Sequence, residues 1–253
     1  MNLRSVSVIV TTLNEEANIE SCLAPLGGFG EIIVVDCFSS DSTLDIVRRF
    51  PVLIFSRPYE SAAAQKNWAL DLARHRWVLV LDADEVVGPG LLREIEEFDG
   101  TSGIDGFWIR RESHYLEGPI RHCGWQRDKV LRFFDRTKGR YDDVEVHEEV
   151  SVRGKAAMLR NALTHHPYRR IEQHLHKIEQ YSTRGAREFV KRGGRFAMIR
   201  MLLDPPFRMA RMYIAQRGFL DGKRGFLLCL LSSYGVFIKY AKAWEYARCR
   251  RER

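Results

Sequence analysis

Residues 78–85, VLVLDADE, carry an apolar run straight into three carboxylates, Asp82, Asp84 and Glu85. A chain that crowds like charges at the tip of a buried strand needs either solvent or a cation there. In one reading the acids form a solvated turn. In the other they serve a hard divalent ion, Mg2+ or Mn2+, which takes one or two protein carboxylates and completes its shell with water and the phosphates of a substrate. Two further apolar runs end on polar side chains, at Thr11 and at Asp36, and this recurrence favours the second reading.

The elements that must position these residues follow from the periodicity. Runs 6–11, 32–36, 52–55 and 77–81 read as strands. Between them, residues from Asn14 onward, the stretch from Ser39 to about Phe50, and the Ala-rich stretch 61–73 read as helices. Pro89 then opens another, to about Phe98. Strand and helix alternating, with strands apolar throughout, predict a parallel sheet covered on both faces. In such a sheet ligands bind beyond the carboxyl ends of the strands, which selects Thr11 to Glu15, Asp36 to Ser40 and Asp82 to Glu85 as one rim. No Gly-x-Gly-x-x-Gly or Gly-x-x-x-x-Gly-Lys-Ser/Thr follows the first strand, so dinucleotide oxidoreductases and P-loop enzymes are disfavoured. After Gly100 the rhythm changes. Strands are expected at 107–111, 130–134 and 159–164, a helix at 171–191, and a mixed basic and aromatic tail after that.

Composition narrows the class. The chain has 253 residues, 45% hydrophobic and 29% charged, which suits a folded domain with an appendage. Its five cysteines include no Cys-x-x-Cys pair, so neither a zinc ribbon nor a disulfide framework is indicated and a reducing cytoplasm fits. No secretory leader or membrane span is expected, because the longest apolar stretch, 226–238, is shorter than the ~20 residues a span needs. The net charge of +7 is unevenly placed. From Arg184 onward there are 17 Lys and Arg against 5 Asp and Glu, whereas residues 1–183 hold 23 against 28. Apolar runs between the tail's cations fit an interfacial helix on an anionic membrane better than a stacking platform for bases, so no nucleic acid partner is expected. Core packing or dimerisation is the alternative for those apolar residues.

The series SVIVTTLNEE, IIVVDCFSSDST, AAAQKNWAL and VLVLDADE resembles, in order and spacing, the nucleotide-binding half of family 2 glycosyltransferases with the GT-A fold. VHEE at 146–149, THHPY at 164–168, HKIEQYS at 176–182, GFLDGKRG and KYAKAWE resemble more narrowly the bacterial lipopolysaccharide core beta-glucosyltransferase subfamily. The resemblance implies an α/β GT-A fold, Rossmann-like with a mostly parallel sheet flanked by helices, over residues 1–183. Residues 1–100 would be its nucleotide-binding half and 101–183 its acceptor half, with a basic amphipathic helical tail over 184–253. It further implies a UDP-sugar donor and a lipid-linked or lipopolysaccharide core acceptor at the cytoplasmic face of the bacterial inner membrane. Thr11 and Asp36 would meet the uracil, Leu13, Asn14 and Glu15 would line the same loop, and Lys66, Asp82 and Ala83 would face the nucleotide sugar. Asp84 would bind the metal. Cys37-Phe38 stands where many relatives have Asp-Gly, so that loop is expected to differ in shape.

Chemistry asks for two more groups. An inverting sugar transfer needs a carboxylate to take the acceptor's hydroxyl proton, and Glu148 is the candidate, with Glu149 second and a solvated acidic stretch as the plainer explanation. The resemblance to GT-A enzymes also implies a late histidine on the metal, which would be His165, with His166 as the alternative. Lys177 could steady a departing diphosphate, although a lysine on a helix surface is commonly just solvated. A sugar-nucleotidyltransferase and a catalytically retired membrane adaptor are the competing functions.

Overall fold

Val6–Thr12 (β1), Glu31–Asp36 (β2), Leu53–Ser56 (β3) and Trp77–Asp82 (β4) pair in parallel in the order β3-β2-β1-β4. The computed structural model describes residues 1–100, 103–142 and 149–249. β1, β2 and β4 are apolar without alternation because both faces of the sheet are covered there, while β3 at the edge is partly exposed. Val8, Val10, Leu79 and Leu81 join one core, while Ile9, Val78 and Val80 join another on the opposite face. Ile19–Leu23 (α1), Thr43–Val47 (α2), Ala62–Leu72 (α3) and Pro89–Glu97 (α4) supply the covering helices. The Ser61 hydroxyl caps α3 by accepting the Ala64 N–H at 3.0 Å. The chain runs outward from β1 to β3 and then places β4 on the other side of β1, so the order reverses between β1 and β4. Ligands bind at such a reversal.

Helices α1 and α2 are shorter than their sequences predict. The residues expected to begin the first helix are drawn into side-chain bonds with residues 39–43. Asn14 N–H donates to Ser39 Oγ (2.9 Å), Ser40 N–H to Asn14 Oδ1 (2.8 Å) and Glu15 N–H to Thr43 Oγ1 (2.8 Å). Short polar side chains compete with helix in this way. Asn14 itself adopts a left-handed conformation, with φ of 54°.

Beyond β4 the sheet becomes antiparallel. Glu85–Val87 (β5), Ile104–Tyr115 (β6), Gly118–Pro119 (β7), Lys129–Asp135 (β8), Gly139–Tyr141 (β9), Val150–Val152 (β10) and Lys155–Tyr168 (β11) follow in the chain. The sheet continues β4-β8-β6-β11-β5, with β7 on β6, while β9 and β10 form a separate pair. The sequence reading anticipated the middles of β6, β8 and β11 but not β5, β7, β9 or β10.

The chain divides into two compact units, residues 1–111 with 128–165, and residues 112–127 with 166–253. The division differs from a cut at residue 183, which falls inside the continuous helix Ile171–Lys191 (α5). The second unit also holds Ala197–Ala210 (α6), a π turn at Arg211–Ala215, and Gly222–Cys249 (α7). α6 begins before the prolines at 205 and 206 and runs through them, with the Pro205 carbonyl accepting the Ser233 hydroxyl at 2.7 Å. The apolar run 226–231 is only partly outward, because Leu228 and Cys229 sit in a core with Tyr115, Ile120, Cys123 and Met212.

His174, near the start of α5, is buried in this unit. Its Nδ1 lies 3.0 Å from the Tyr115 hydroxyl and its ring stacks on Tyr168 at 4.2 Å. Burial, helped by the charge of Lys177, pushes its pKa down from 6.5 to about 4. The unfolded chain therefore binds the extra proton between those values. Stability contributed by neutral His174 is complete above pH 6.5 and is lost as pH falls toward 4, by roughly 3 kcal/mol in all. Thermal unfolding midpoints across that window should fall more steeply for the native protein than for His174→Gln, which cannot take up the proton.

Candidate active site

The carboxyl ends of β1, β2 and β4 bring the expected rim residues of the first unit together. Thr11 is the register partner of Asp82, and Thr12 that of Asp36. The Thr11 hydroxyl donates to Asp82 Oδ1 at 3.3 Å, and the Ala83 N–H donates to the Thr11 carbonyl at 3.2 Å. Asp36 is fully buried and accepts both the Ser39 N–H (3.0 Å) and the Ser39 hydroxyl, which fixes the loop after β2. In the loop after β1, Leu13 is exposed, and Glu15 accepts the Asn18 amide at 2.7 Å. Phe38, one of the two residues that depart from the family pattern, is 60% exposed with φ of 61°.

The charge of the acidic cluster is offset first by the protein itself. Lys66 Nζ, projecting from α3, lies 2.8 Å from Asp82 Oδ1. Arg132, on β8, is buried and gives its Nη2 to both Asp82 Oδ2 and Glu85 Oε1, the latter at 2.9 Å. Arg111, on β6, reaches Glu85 Oε1 at 3.2 Å and pairs with Asp128. Desolvation alone would raise the Asp82 carboxyl, but Arg132 and then Lys66 overcome it and hold that group well below the usual carboxylate range. Desolvation likewise opposes charge on Arg132, and the two carboxylates outweigh it. Tyr141 completes the cluster, with Lys66 over its ring at 5.3 Å and its hydroxyl 3.4 Å from Arg132 Nη1. The sequence reading found Lys66 but missed Arg132, Arg111 and Tyr141. They lie on later strands, where no motif marks them.

Asp84 has a different neighbour. Its Oδ2 lies 3.6 Å from His165 Nε2, on β11, and both side chains are largely buried. β11 pairs with β5 so that His165 is opposite Glu85. A carboxylate oxygen and an imidazole nitrogen that converge like this suit Mn2+, and the carboxylate suits Mg2+. Among the described residues no group of three or more His, Cys, Asp or Glu could hold a metal ion. A metal here would therefore draw its remaining ligands from substrate phosphate and water. The residues fit that kind of site.

Glu148 lies outside the described residues, and Glu149, which follows, is exposed at the start of β10's approach. Lys177 and His166 belong to the second unit. There Lys177 Nζ donates to the Pro167 carbonyl at 3.3 Å and sits over the Tyr168 ring, while the His166 ring packs on His114 at 4.9 Å.

The family model described as glycosyl transferase family 2 matches residues 7–167. A lipopolysaccharide core biosynthesis glycosyltransferase, LpsC, from Rhizobium meliloti is 27% identical over 248 residues, 95% of this chain and 92% of that protein. Among solved structures, TarS from S. aureus aligns over 98% of this chain and 91% of that one, with 15% identity and a TM-score of 0.48. Glucosyl-3-phosphoglycerate synthase from Mycobacterium tuberculosis, in complex with Mn2+, UDP and phosphoglyceric acid, aligns over 46% of this chain and 44% of that one. The identity there is 25% and the TM-score 0.36.

Removing one partner from a buried ion pair typically costs about 3–5 kcal/mol. Arg132→Met should lie near the lower end, at roughly 3 kcal/mol, because Arg111 still faces Glu85. Arg111→Met, at a more exposed position, should cost less. Urea unfolding of the two variants checks this order.

Proposed function

The chain belongs to the family 2 glycosyltransferases, and from that premise we propose that it transfers a hexose from a UDP-sugar, with inversion, to a lipopolysaccharide core or other lipid-linked saccharide. Glucose is the proposed sugar. The enzyme would act as a peripheral protein at the cytoplasmic face of the bacterial inner membrane. The observation that carries the reading is the rim where β1 and β4 part, with Thr11 and Asp82 in register and Asp84 beside His165. The relative named for lipopolysaccharide core biosynthesis, which spans nearly the whole chain, supports the acceptor class. Family membership leaves the sugar-nucleotidyltransferase alternative without support.

In this reading the uracil lies against Thr11 and Asp36, and the loop Leu13, Asn14, Glu15 closes one side. Lys66 and the Ala83 backbone face the nucleotide sugar, and Asp82, held by Arg132, keeps Lys66 in place. Asp84 and His165 would hold Mg2+ or Mn2+, which when bound supplies positive charge to the leaving diphosphate. Lys177 is the proposed second cation for that group. Glu148 takes the proton from the acceptor hydroxyl as its oxygen bonds to the anomeric carbon, and the bond from that carbon to the diphosphate oxygen breaks on the opposite side.

Two variants test the assignment. Asp84→Ala should abolish transfer and remove the dependence of UDP binding on Mg2+ or Mn2+, and unchanged metal-dependent turnover would sink the metal site. Glu148→Gln should keep UDP-sugar binding while turnover drops by ~10²- to 10⁴-fold, the usual contribution of a general base. If Glu149→Gln is the crippled variant instead, the base is the neighbour.

A further inference from the structure

The helices of the second unit divide their apolar residues unevenly between core and surface. On α6 and just before it, Phe196, Ile199, Leu202, Leu203 and Phe207 are 53–70% exposed. Spacings of three and four place Phe196, Ile199, Leu203 and Phe207 in one row along the helix, with Leu202 and Pro206 beside it. Ile214, in the π turn, and Leu220, beyond it, are also exposed. The comparable row on α7, Phe226, Leu230, Tyr234, Phe237 and Trp244, is only 39–45% exposed. α6 therefore presents the most apolar surface.

The charges around that surface identify its partner. Across residues 195–224, Arg195, Arg200, Arg208, Arg211, Arg217, Lys223 and Arg224 are all exposed. The acids in the same stretch are Asp204 and Asp221, neither of them fully exposed. Asp204 lies 3.6 Å from Arg200, and Asp221 is bonded to His122. A second copy of the chain would bring two such cationic borders together. An anionic bilayer instead accepts apolar side chains at the acyl boundary and cations at its headgroups.

α7 meets the length and composition of a candidate span, yet its structure argues for another role. The uncharged stretch between Arg224 and Lys239 covers residues 225–238, which as a helix reaches only about 21 Å against a hydrocarbon core of about 30 Å. Lys242 near its far end is fixed on α5, with Nζ 2.6 Å from Glu179 Oε1 and 2.7 Å from Thr183 Oγ1. Leu228, Cys229, Tyr240 and Ala243 are buried. α7 is the element against which α5 and α6 pack.

We propose that α6 is a membrane-docking helix that lies in the plane of an anionic bilayer, its row of Ile199, Leu203 and Phe207 in the acyl boundary and its arginines at the lipid phosphates. The proposal deepens the functional reading by naming the surface that would hold the enzyme near a lipid-linked acceptor, but it needs only the bilayer and not the reaction.

Flotation with phosphatidylglycerol-containing vesicles and with pure phosphatidylcholine vesicles tests it on the full chain. The native protein should float with the anionic vesicles, less with the zwitterionic ones, and less as salt rises, since screening acts over ~8 Å at physiological ionic strength. Leu203→Glu/Phe207→Glu should lower the anionic-vesicle partition on the order of tenfold or more. Met158→Glu, at an exposed apolar position in the first unit, should leave it unchanged. UDP binding and the thermal midpoint, read in the same samples, confirm that the double variant is folded and keep a failure of the glycosyltransferase reading separate. The proposal is overturned if the native protein floats with neither vesicle, if the double variant floats as well as the native protein, or if the α6 row proves to be a dimer interface that the double variant breaks in solution.

Discussion

The guanidinium of Arg132 is the group on which the rim of the first unit depends. β4 ends at Asp82 on the carboxyl rim of the sheet, and the turn that follows brings Glu85, which is fully buried. Two carboxylates this close, one of them fully buried, need a cation. Arg132 serves both with one nitrogen, and Lys66 and Arg111 add charge from α3 and β6. Because the Glu85 carboxylate also accepts the Asp82 N–H at 3.0 Å, the turn between the two acids is fixed at its side chains and its backbone. Asp84 lies inside that turn, so the backbone that carries it is held in place.

The second unit solves a different problem with similar residues. Its sequence interleaves aromatic, aliphatic and basic side chains, and the fold assigns them to separate duties. Leu228, Cys229, Met212 and Tyr115 form a core. Lys242 and Arg200 are tied to neighbouring helices, Lys242 to the middle of α5 and Arg200 to the Tyr240 hydroxyl at 3.2 Å. The side chains left outward on α6 form the apolar row bordered by arginine. A long apolar helix such as α7 can therefore be the packing centre of its unit, while a shorter helix that runs through two prolines carries the exposed surface.

Much of the first unit was legible because its strands obey a simple rule. β1, β2 and β4 are buried on both faces, so their sequences are continuously apolar and end where polar rim residues begin. Ser61 and Pro89 likewise marked the starts of α3 and α4 through capping chemistry. β11 was harder, because Lys155–Tyr168 mixes exposed, intermediate and buried positions with no steady period. The tail was expected to be helical over 184–253, but not divided into α6, a π turn and α7, and paired prolines normally end a helix, whereas α6 runs through them. Arg132 was invisible for another reason. Its partners lie 47 and 50 residues away, and an arginine in the strand sequence KVLRFFD reads as an outward residue until β8 is known to pair with β4.

The two adjacent histidines show what register adds to sequence. In THHPY either one could face an acidic partner, and local spacing does not choose between them. Successive side chains on a strand point to opposite faces, so only one of the pair can share a face with a given neighbour. β11 meets β5 with Leu163 opposite Val87, Thr164 opposite Val86 and His165 opposite Glu85. Leu163 and Val87 are both buried in the same core. Slipping the strand by one residue would carry Leu163 out of that core and set Thr164 in its place, which the apolar surroundings oppose. The burial of Leu163 thus fixes the register, and the register sets His165 opposite Glu85, next to the turn that holds Asp84.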